Sequence, residues 1–177
     1  DIDFAQAFQT SCVWYFRQMI DELGAQQIQA ELNKLQYGNQ DISDWEGRLN
    51  TNNDNRALTG FWIESSLKIS PIEQAEVMER IFGEHSLYSQ DTQDALRQVM
   101  LAQTQEKTDM RIYGKTGMGK SDGVVVDSWY TGFAEMQEGH VYFCVYLGET
   151  EEGDVSSQRA KEIAFDILSA YQEGAES

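Results

Sequence analysis

The sequence predicts an α+β fold in which helices flank an antiparallel sheet. Helical periodicity dominates the first hundred residues, strand-like segments follow, and a helical period returns at the end. The predicted strands are 109–114, 123–135 and 140–148. Because they follow one another through short connections, we expect antiparallel pairing, with the last helix lying on the sheet. The 177 residues fit one domain, residues 1–177, without a linker or repeat.

Two helical periods occupy the first third of the chain. The first has apolar residues at helical spacing, namely Val13, Phe16, Ile20 and Leu23. The second has them at Ile28, Leu32 and Leu35. We expect Ser11 to cap the first helix at its start and Gly24 to end it, while Tyr37-Gly38-Asn39 ends the second and has a structural role.

A long polar loop spans residues 40–60. Alternating Asn50, Asn52 and Asp54 suggest a calcium loop, but Asn55 replaces its required glycine and Phe61 its bidentate glutamate. We therefore predict no calcium site. A loop of this length in a compact domain is often functional.

Two later helices have clear start signals. Ser70 is a candidate N-cap, Pro71 suits the first helical position, and Glu73 completes a capping box. A further helix is predicted after Ser89.

The end of the chain combines a strand with a strongly periodic helix. The strand 140–148 has apolar or aromatic side chains on both faces, which predicts cover on both sides. The predicted apolar face of the closing helix consists of Ala160, Ile163, Ala164, Ile167, Leu168 and Tyr171.

Composition excludes several classes of function. A net charge of −17 and a pI near 4.3 argue against nucleic acid or anionic membranes as partners. No apolar run is long enough to span a bilayer, so we predict no membrane insertion. Cys12 and Cys144 are expected to be buried free thiols. With two histidines and no metal-ligand spacing, neither zinc nor Ser-His-Asp chemistry is supported, and no metal or cofactor is predicted.

The segment Gly114–Ser121 fits two unrelated motifs. It satisfies the phosphate-binding pattern G-x-x-x-x-G-K-[ST], and it contains the K-T-G of penicillin-recognising serine enzymes at Lys115-Thr116-Gly117. A phosphate loop must open a helix, whereas here a turn signal and the apolar Val124-Val-Val126 follow. We therefore predict a β-hairpin, and nucleotide binding is a remote alternative.

The order of the motifs resembles class D serine β-lactamases over essentially the whole chain. The motifs in order are Ser11-Cys12-Val13, Tyr37-Gly38-Asn39, Gly60-Phe-Trp-Ile-Glu-Ser-Ser-Leu-Lys-Ile-Ser-Pro71, Lys115-Thr116-Gly117 and Trp129-Tyr-Thr-Gly-Phe133. The sensor domains of BlaR/MecR-type β-lactam receptors share much of this pattern. Sensors carry Asn where this chain has Val13, which favours the hydrolase. The resemblance implies a β-lactamase/transpeptidase-like fold and β-lactams as small-molecule partners.

The same resemblance implies a role for each matching residue. Ser11 would shuttle a proton to the β-lactam nitrogen, Val13 would line the pocket of the base, and Trp62 would donate its indole N–H to that base, a carboxylated lysine. Lys115 would supply positive field, Thr116 would hydrogen-bond the substrate carboxylate, and Gly117 would belong to the same substrate-binding strand. Arg159, or less favourably Lys161, would give the second contact to the carboxylate. The backbone N–H of Met118 would form half of an oxyanion hole.

One family motif has no acceptable match. The nucleophile and base come from an S-x-x-K turn upstream of Ser11, and the internal match Ser65-Ser-Leu-Lys68 falls in a different family segment, so we do not assign Ser65 as nucleophile. We expect the nucleophile helix, the lysine base and the first strands to lie outside this chain. The chain is then the C-terminal portion of an enzyme, inactive alone, completed by its N-terminal segment or by self-association. A secreted or cell-envelope location follows from the resemblance only.

Overall fold

A computed structural model describes residues 1–47, 55–105, 110–121, 124–148 and 155–175. The chain groups into two compact units, Asp1–Glu73 and Gln74–Ser177, which are described separately. The single-domain boundary of 1–177 stays a prediction. The calcium-like residues Asn50, Asn52 and Asp54 lie outside the described residues.

The described residues of the first unit contain three complete α-helices and a short 3-10 helix. They are α1 (Phe4–Gln9), α2 (Val13–Leu23), α3 (Ala25–Leu35) and the 3-10 helix Arg56–Leu58. The predicted boundary between α2 and α3 is confirmed, because Gly24 has a φ of 80° that glycine adopts readily. Helix α1 was not predicted. Its start is fixed by a capping box between Asp3 and Gln6.

The predicted cap at Ser11 is wrong. The N-cap of α2 is Cys12, whose side chain makes no capping hydrogen bond. Ser11 lies instead in the turn that closes α1, where its N–H donates to the Phe8 carbonyl at 3.2 Å and its φ is 52°. Ser11 has a positive φ, and the extended backbone that an N-cap requires occurs one residue later, at Cys12.

The structural role predicted for Asn39 is confirmed. Its side chain donates to the Ser66 carbonyl at 2.9 Å and accepts the Lys68 N–H at 2.9 Å. Its backbone N–H also donates to the Lys68 carbonyl at 2.9 Å. Asn39 therefore ties the end of α3 to the segment that follows Trp62.

Helices and a four-stranded sheet make up the second unit. Helix α4 (Pro71–Phe82) begins in the last three residues of the first unit and continues into the second. It is followed by α5 (Gln90–Met100), β1 (Leu101–Gln105), β2 (Met110–Ser121), β3 (Val124–Met136), β4 (Gly139–Gly148) and α6 (Ser157–Ala175). The strands pair in the order β1-β2-β3-β4, all antiparallel. Both predicted helix starts are confirmed: Ser70 and Glu73 form the capping box, and the Ser89 hydroxyl accepts the Thr92 N–H at 3.3 Å.

Strand β2 is longer than predicted. It continues through Lys115-Thr116-Gly117 to Ser121, so the K-T-G triplet lies within the strand rather than at its end. Glycines and lysines are poor strand formers, and pairing with β3 decides the outcome here. Because no helix opens near Lys120, the phosphate-loop alternative is wrong. The polar β1 was not predicted.

Helix α6 lies on one face of the sheet. Its buried residues follow a four-residue spacing, Ala160, Ala164, Leu168 and Gln172, and Leu168 packs with Met110, Ile112 and Ala134. The prediction that Ile167 and Tyr171 join this face is wrong, since they are 59% and 60% exposed. Positions four residues apart rotate by about 40° around the helix axis at each step, so near Leu168 and Gln172 the buried face has moved away from Ile167 and Tyr171.

Strand β4 is only partly covered, whereas the sequence predicted full cover on both faces. Among the described strands it ends the sheet, and most of its side chains are half-buried, with Tyr146 45% exposed. Helix α6 covers only one of its faces. Cys12 and Cys144 are free, as predicted, but half-buried rather than buried. No helix of the described residues is long and apolar enough to cross a membrane.

Candidate active site

The K-T-G triplet is held in the middle of the sheet's best-paired hairpin. Lys115 pairs with Thr131, Thr116 with Tyr130, and Gly117 with Trp129. Side chains alternate between the faces of a strand. Thr116 therefore shares the face of Ile112, which packs on α6, while Lys115 lies on the opposite face.

Two glycines bring β2 and β3 unusually close just before the triplet. A Cβ on Gly132 would lie 1.9 Å from the Tyr113 carbonyl oxygen, and one on Gly114 would lie 2.5 Å from the Tyr130 hydroxyl oxygen. Gly114 and Gly132 face each other across the hairpin. At Gly132 an added Cβ would meet backbone, so only glycine fits there, and this position sets the approach of the strand that carries Lys115.

We expect Gly132→Ala to destabilise the protein strongly. Overpacking typically costs about 1–3 kcal/mol, and the contact here is with backbone that cannot rotate away, so we expect about 3 kcal/mol. Urea unfolding measures the loss. Gly174→Ala in α6, where an added Cβ meets nothing within 4 Å, is the matched control and should not destabilise. Equal stability of the two variants would contradict the close approach.

Lys115 is a half-buried cation fixed along its own strand. Its Nζ donates to the Thr116 carbonyl at 2.8 Å and lies 3.4 Å from the Thr116 hydroxyl oxygen. Burial lowers the pKa of Lys115 below its ordinary value. The positive charge of Lys115 is therefore lost at a lower pH than that of an exposed lysine.

The edge of β2 opposite β3 is open beside the triplet. Strand β1 pairs only with Met110–Tyr113, and within the described residues no strand pairs with the rest of this edge. On the β3 side, the Gly119 N–H donates to Asp127 Oδ1 at 3.0 Å. Since successive N–H groups of a strand point to opposite sides, the Met118 N–H is directed to the open edge. The Met118 side chain is 51% exposed.

Asp127 and Trp129 lie beside the K-T-G strand and contact it or each other, which the sequence did not predict. Asp127 Oδ1 also accepts the Trp129 indole N–H at 3.1 Å, and the Trp129 ring meets Tyr146 edge to face at 4.7 Å. Trp129 therefore stands beside Gly117 with its ring orientation fixed. A register shift between Gly119 and Lys120 sets these neighbours, and the sequence has no local signal for it.

Arg159 lies in the first turns of α6 and is exposed. Its guanidinium is 3.6 Å from Glu162 Oε2, while Lys161 Nζ lies 5.3 Å from the centre of the Phe165 ring. The segment before α6 is tied to β3 where the Ser128 hydroxyl donates to the Val155 carbonyl at 3.0 Å. Because Ser128 of β3 pairs with Met118 of β2, the start of α6 lies near Met118.

The first unit contains the other three predicted residues. Ser11 is exposed and occupies the left-handed region, which is strained for a residue with a side chain. Val13 is the half-buried first residue of α2. Trp62 is half-buried and meets Phe61 edge to face at 5.1 Å. Within the described residues its indole N–H donates to no acceptor.

Ser65 does not have the geometry of a nucleophile, in agreement with the sequence analysis. It is 4% exposed, its hydroxyl donates to the Asp44 carboxylate, and Ser65–Lys68 is irregular rather than helical. Lys68 is exposed. An S-x-x-K pair acts from one helical turn that brings serine and lysine together, which this segment lacks. No group of residues suited to a metal ion occurs in the described part of the chain.

A family model places the chain among known proteins. The penicillin binding protein transpeptidase domain matches residues 1–169, and the chain belongs to this family. Within it, the resemblance to class D β-lactamases and to β-lactam sensors is confirmed. The chain is 29% identical over 172 residues to the probable β-lactamase YbxI of Bacillus subtilis, covering 97% of this chain and 56% of the relative.

Two further relatives represent a hydrolase and a regulator. Identity is 33% over 165 residues to β-lactamase OXA-1 of Escherichia coli, covering 90% of this chain and 56% of the relative. It is 28% over 166 residues to the regulatory protein BlaR1 of Staphylococcus aureus, covering 94% of this chain and 25% of the relative. The chain thus spans about half the length of the β-lactamases it matches, and less of the regulator.

Solved structures confirm the β-lactamase/transpeptidase-like α+β fold. The class D β-lactamase from Bacillus subtilis superposes with a TM-score of 0.73 at 29% identity, covering 94% of this chain and 61% of that one. The OXA-427 class D β-lactamase gives a TM-score of 0.77 at 26% identity, covering 98% of this chain and 76% of that one.

Proposed function

We propose that this chain forms the substrate-binding part of a class D β-lactamase that opens β-lactams through a serine acyl-enzyme. The observation that carries the proposal is the open edge of β2, where the Lys115 cation and the Met118 N–H belong to one rigid strand. In this proposal Lys115 supplies positive field to the substrate carboxylate, Thr116 binds that carboxylate, and the Met118 N–H stabilises the developing oxyanion.

The remaining residues serve proton transfer and the second carboxylate contact. Ser11 passes the proton to the leaving nitrogen, Val13 lines the pocket of the base, and Trp62 donates to that base, which the family builds on a carboxylated lysine. Arg159 contacts the substrate carboxylate beside Gly117. The proposal assigns no nucleophile within residues 1–177, since Ser65 is buried against Asp44. An extracytoplasmic location, where β-lactams act, belongs to the same proposal.

The binding step can be tested on this chain directly. On titration with benzylpenicillin we expect the backbone amide signals of Thr116, Gly117 and Met118 to shift in NMR spectra, because the ligand carboxylate and carbonyl meet this edge. The methyl ester of benzylpenicillin, which lacks the carboxylate, should shift them less. An unchanged response in Lys115→Ala, or shifts that leave β2 untouched, would contradict the proposal.

A β-lactam sensor is the second candidate, favoured by the similarity to BlaR1. A sensor is acylated but not turned over. A burst of acylation without steady hydrolysis, measured on a protein that contains residues 1–177 and reacts with β-lactams, would select it. In either case peptide mapping should place the acyl group away from Ser65.

A further inference from the structure

A fully buried arginine joins α2 to both arms of the long loop in the first unit. Arg17 is 2% exposed, and charged side chains are seldom so buried unless every donor is paired. Its Nη1 donates to the Trp45 carbonyl at 2.9 Å and to the Thr59 carbonyl at 3.4 Å. Nε and Nη2 donate to the two carboxylate oxygens of Asp21 at 3.2 and 3.0 Å. One guanidinium therefore binds residues from each end of the loop.

A second arginine reinforces this attachment from the loop side. Arg56 donates to both oxygens of Asp21 at 3.1 Å, and its Nε lies 2.6 Å from Glu46 Oε2. Partial burial raises the pKa of Asp21, but hydrogen bonds from Arg17 and Arg56 outweigh it and hold the pKa below its ordinary value. The Asp21 carboxylate, which lies between the two guanidinium groups, is thus ionised at neutral pH.

A series of ring contacts connects the Arg17–Asp21–Arg56 network to Trp62. The Arg17 guanidinium lies 5.6 Å from the centre of the Trp45 ring. Trp45 stacks on Phe61 at 5.3 Å and 16°, and Phe61 meets Trp62 edge to face at 5.1 Å and 79°. A Cβ on Gly60 would lie 2.3 Å from the Trp62 ring, so the indole rests on the backbone next to the Thr59 carbonyl that Arg17 binds.

We propose that Arg17 is a positioning residue for Trp62. It fixes the Trp45 and Thr59 carbonyls relative to α2, and thereby the backbone and the ring stack that set the orientation of the indole. The catalytic importance of this positioning rests on the proposed function, in which the Trp62 indole N–H donates to the base. The proposal goes beyond that function in naming the residue that holds the donor in place.

Lysine cannot replace arginine in this role. The planar guanidinium group of Arg17 donates in fixed directions to two backbone carbonyls and two carboxylate oxygens. The ammonium group of a lysine is a compact charge on a flexible side chain and does not have these fixed directions. Arg17→Lys therefore keeps the charge and much of the apolar stem but loses the simultaneous hold on both loop arms. Gln18→Ala, an exposed neighbour on α2, is the matched control.

The test uses the indole N–H signals of the four tryptophans in this chain, assigned by single Trp→Phe variants. We expect Arg17→Lys to shift the Trp45 and Trp62 signals by more than a line width and to speed exchange of the Trp62 indole proton. The Trp129 signal should stay in place, as should all signals in Gln18→Ala. An unmoved Trp62 signal in a folded Arg17→Lys protein, even one with a lower Tm, would overturn the proposal.

If Arg17→Lys does not fold, Asp21→Asn tests whether Arg17 positions Trp62. It keeps the arginine but removes the charge that orients it, so the Trp62 signal should move in that variant also, and an unmoved signal would overturn the proposal. The readout involves no β-lactam and is independent of the proposed function. If the signal moves while deacylation by a β-lactam-hydrolysing protein that contains residues 1–177 is unchanged, Arg17 positions Trp62 and the catalytic role proposed for Trp62 is wrong.

Discussion

Replacing Lys115 with alanine should lower the acylation rate about 10²–10³-fold in an active protein that contains residues 1–177, the usual cost of losing one group that stabilises developing charge. The lysine is half-buried and held along β2, so neither water nor a neighbouring side chain would replace its charge at the same point. Acylation by a chromogenic cephalosporin in stopped flow gives the rate. Lys120→Ala, an exposed lysine on the same strand, is the control and should change the rate little.

The pH dependence of the acylation rate distinguishes the effect of the Lys115 charge from the effect of its side-chain shape. Burial lowers the pKa of Lys115, so its charge is present below that pKa and is lost as pH rises through it, before the ordinary value of 10.5 is reached. Acylation should therefore fall on the alkaline side in the unmodified protein. It should not show that fall in Lys115→Arg, since arginine stays charged. Acylation in Lys115→Ala equal to that in Lys120→Ala would contradict the role of the lysine.

Replacing Trp62 with phenylalanine should slow deacylation and leave acylation nearly unchanged. The ring would still pack on Phe61, but the indole N–H would be gone. A hydrogen bond to a charged group contributes about 1.5–3 kcal/mol, which corresponds to roughly 10–100-fold in rate. We expect an acyl-enzyme burst followed by a slow steady state, measured on the same active protein by stopped flow and intact mass.

Two controls distinguish loss of the donor from loss of the fold. Trp14→Phe changes an exposed tryptophan of the same unit and should retain normal turnover. Since a carboxylated lysine forms reversibly from carbon dioxide, added bicarbonate should partly restore deacylation in Trp62→Phe. A damaged fold would not respond to bicarbonate. Equal deacylation in the Trp62 and Trp14 variants would remove Trp62 from the mechanism.

The sequence predicted those parts of the fold that local chemistry determines. The capping box at Ser70 and Glu73, the cap at Ser89 and the glycine end of α2 are each encoded within four residues. The hairpin was predicted from a turn signal between apolar segments, and the structure confirms it. The family resemblance was recognisable because short motifs kept their order along the chain.

What the sequence did not predict depends on residues far apart. The continuation of β2 through Gly114, Lys115 and Gly117 is decided by its register with β3, since these residues have little strand preference of their own. From the sequence, Arg17 would be placed on the polar side of an amphipathic helix. It is nevertheless buried, because Trp45, Thr59 and Asp21 accept the hydrogen bonds of its guanidinium group. Ser11 gave no sign of a left-handed backbone, which is uncommon outside glycine.

The backbone of Ser11 has a consequence for directed evolution of this protein. A left-handed conformation costs a residue with a side chain about 1–2 kcal/mol relative to glycine. A library screened for thermal stability alone would therefore enrich Ser11→Gly, a change that relieves the backbone and also deletes the hydroxyl proposed to carry the proton. Under the proposed function, selection for thermal stability would therefore favour a different residue at position 11 from selection for β-lactam hydrolysis.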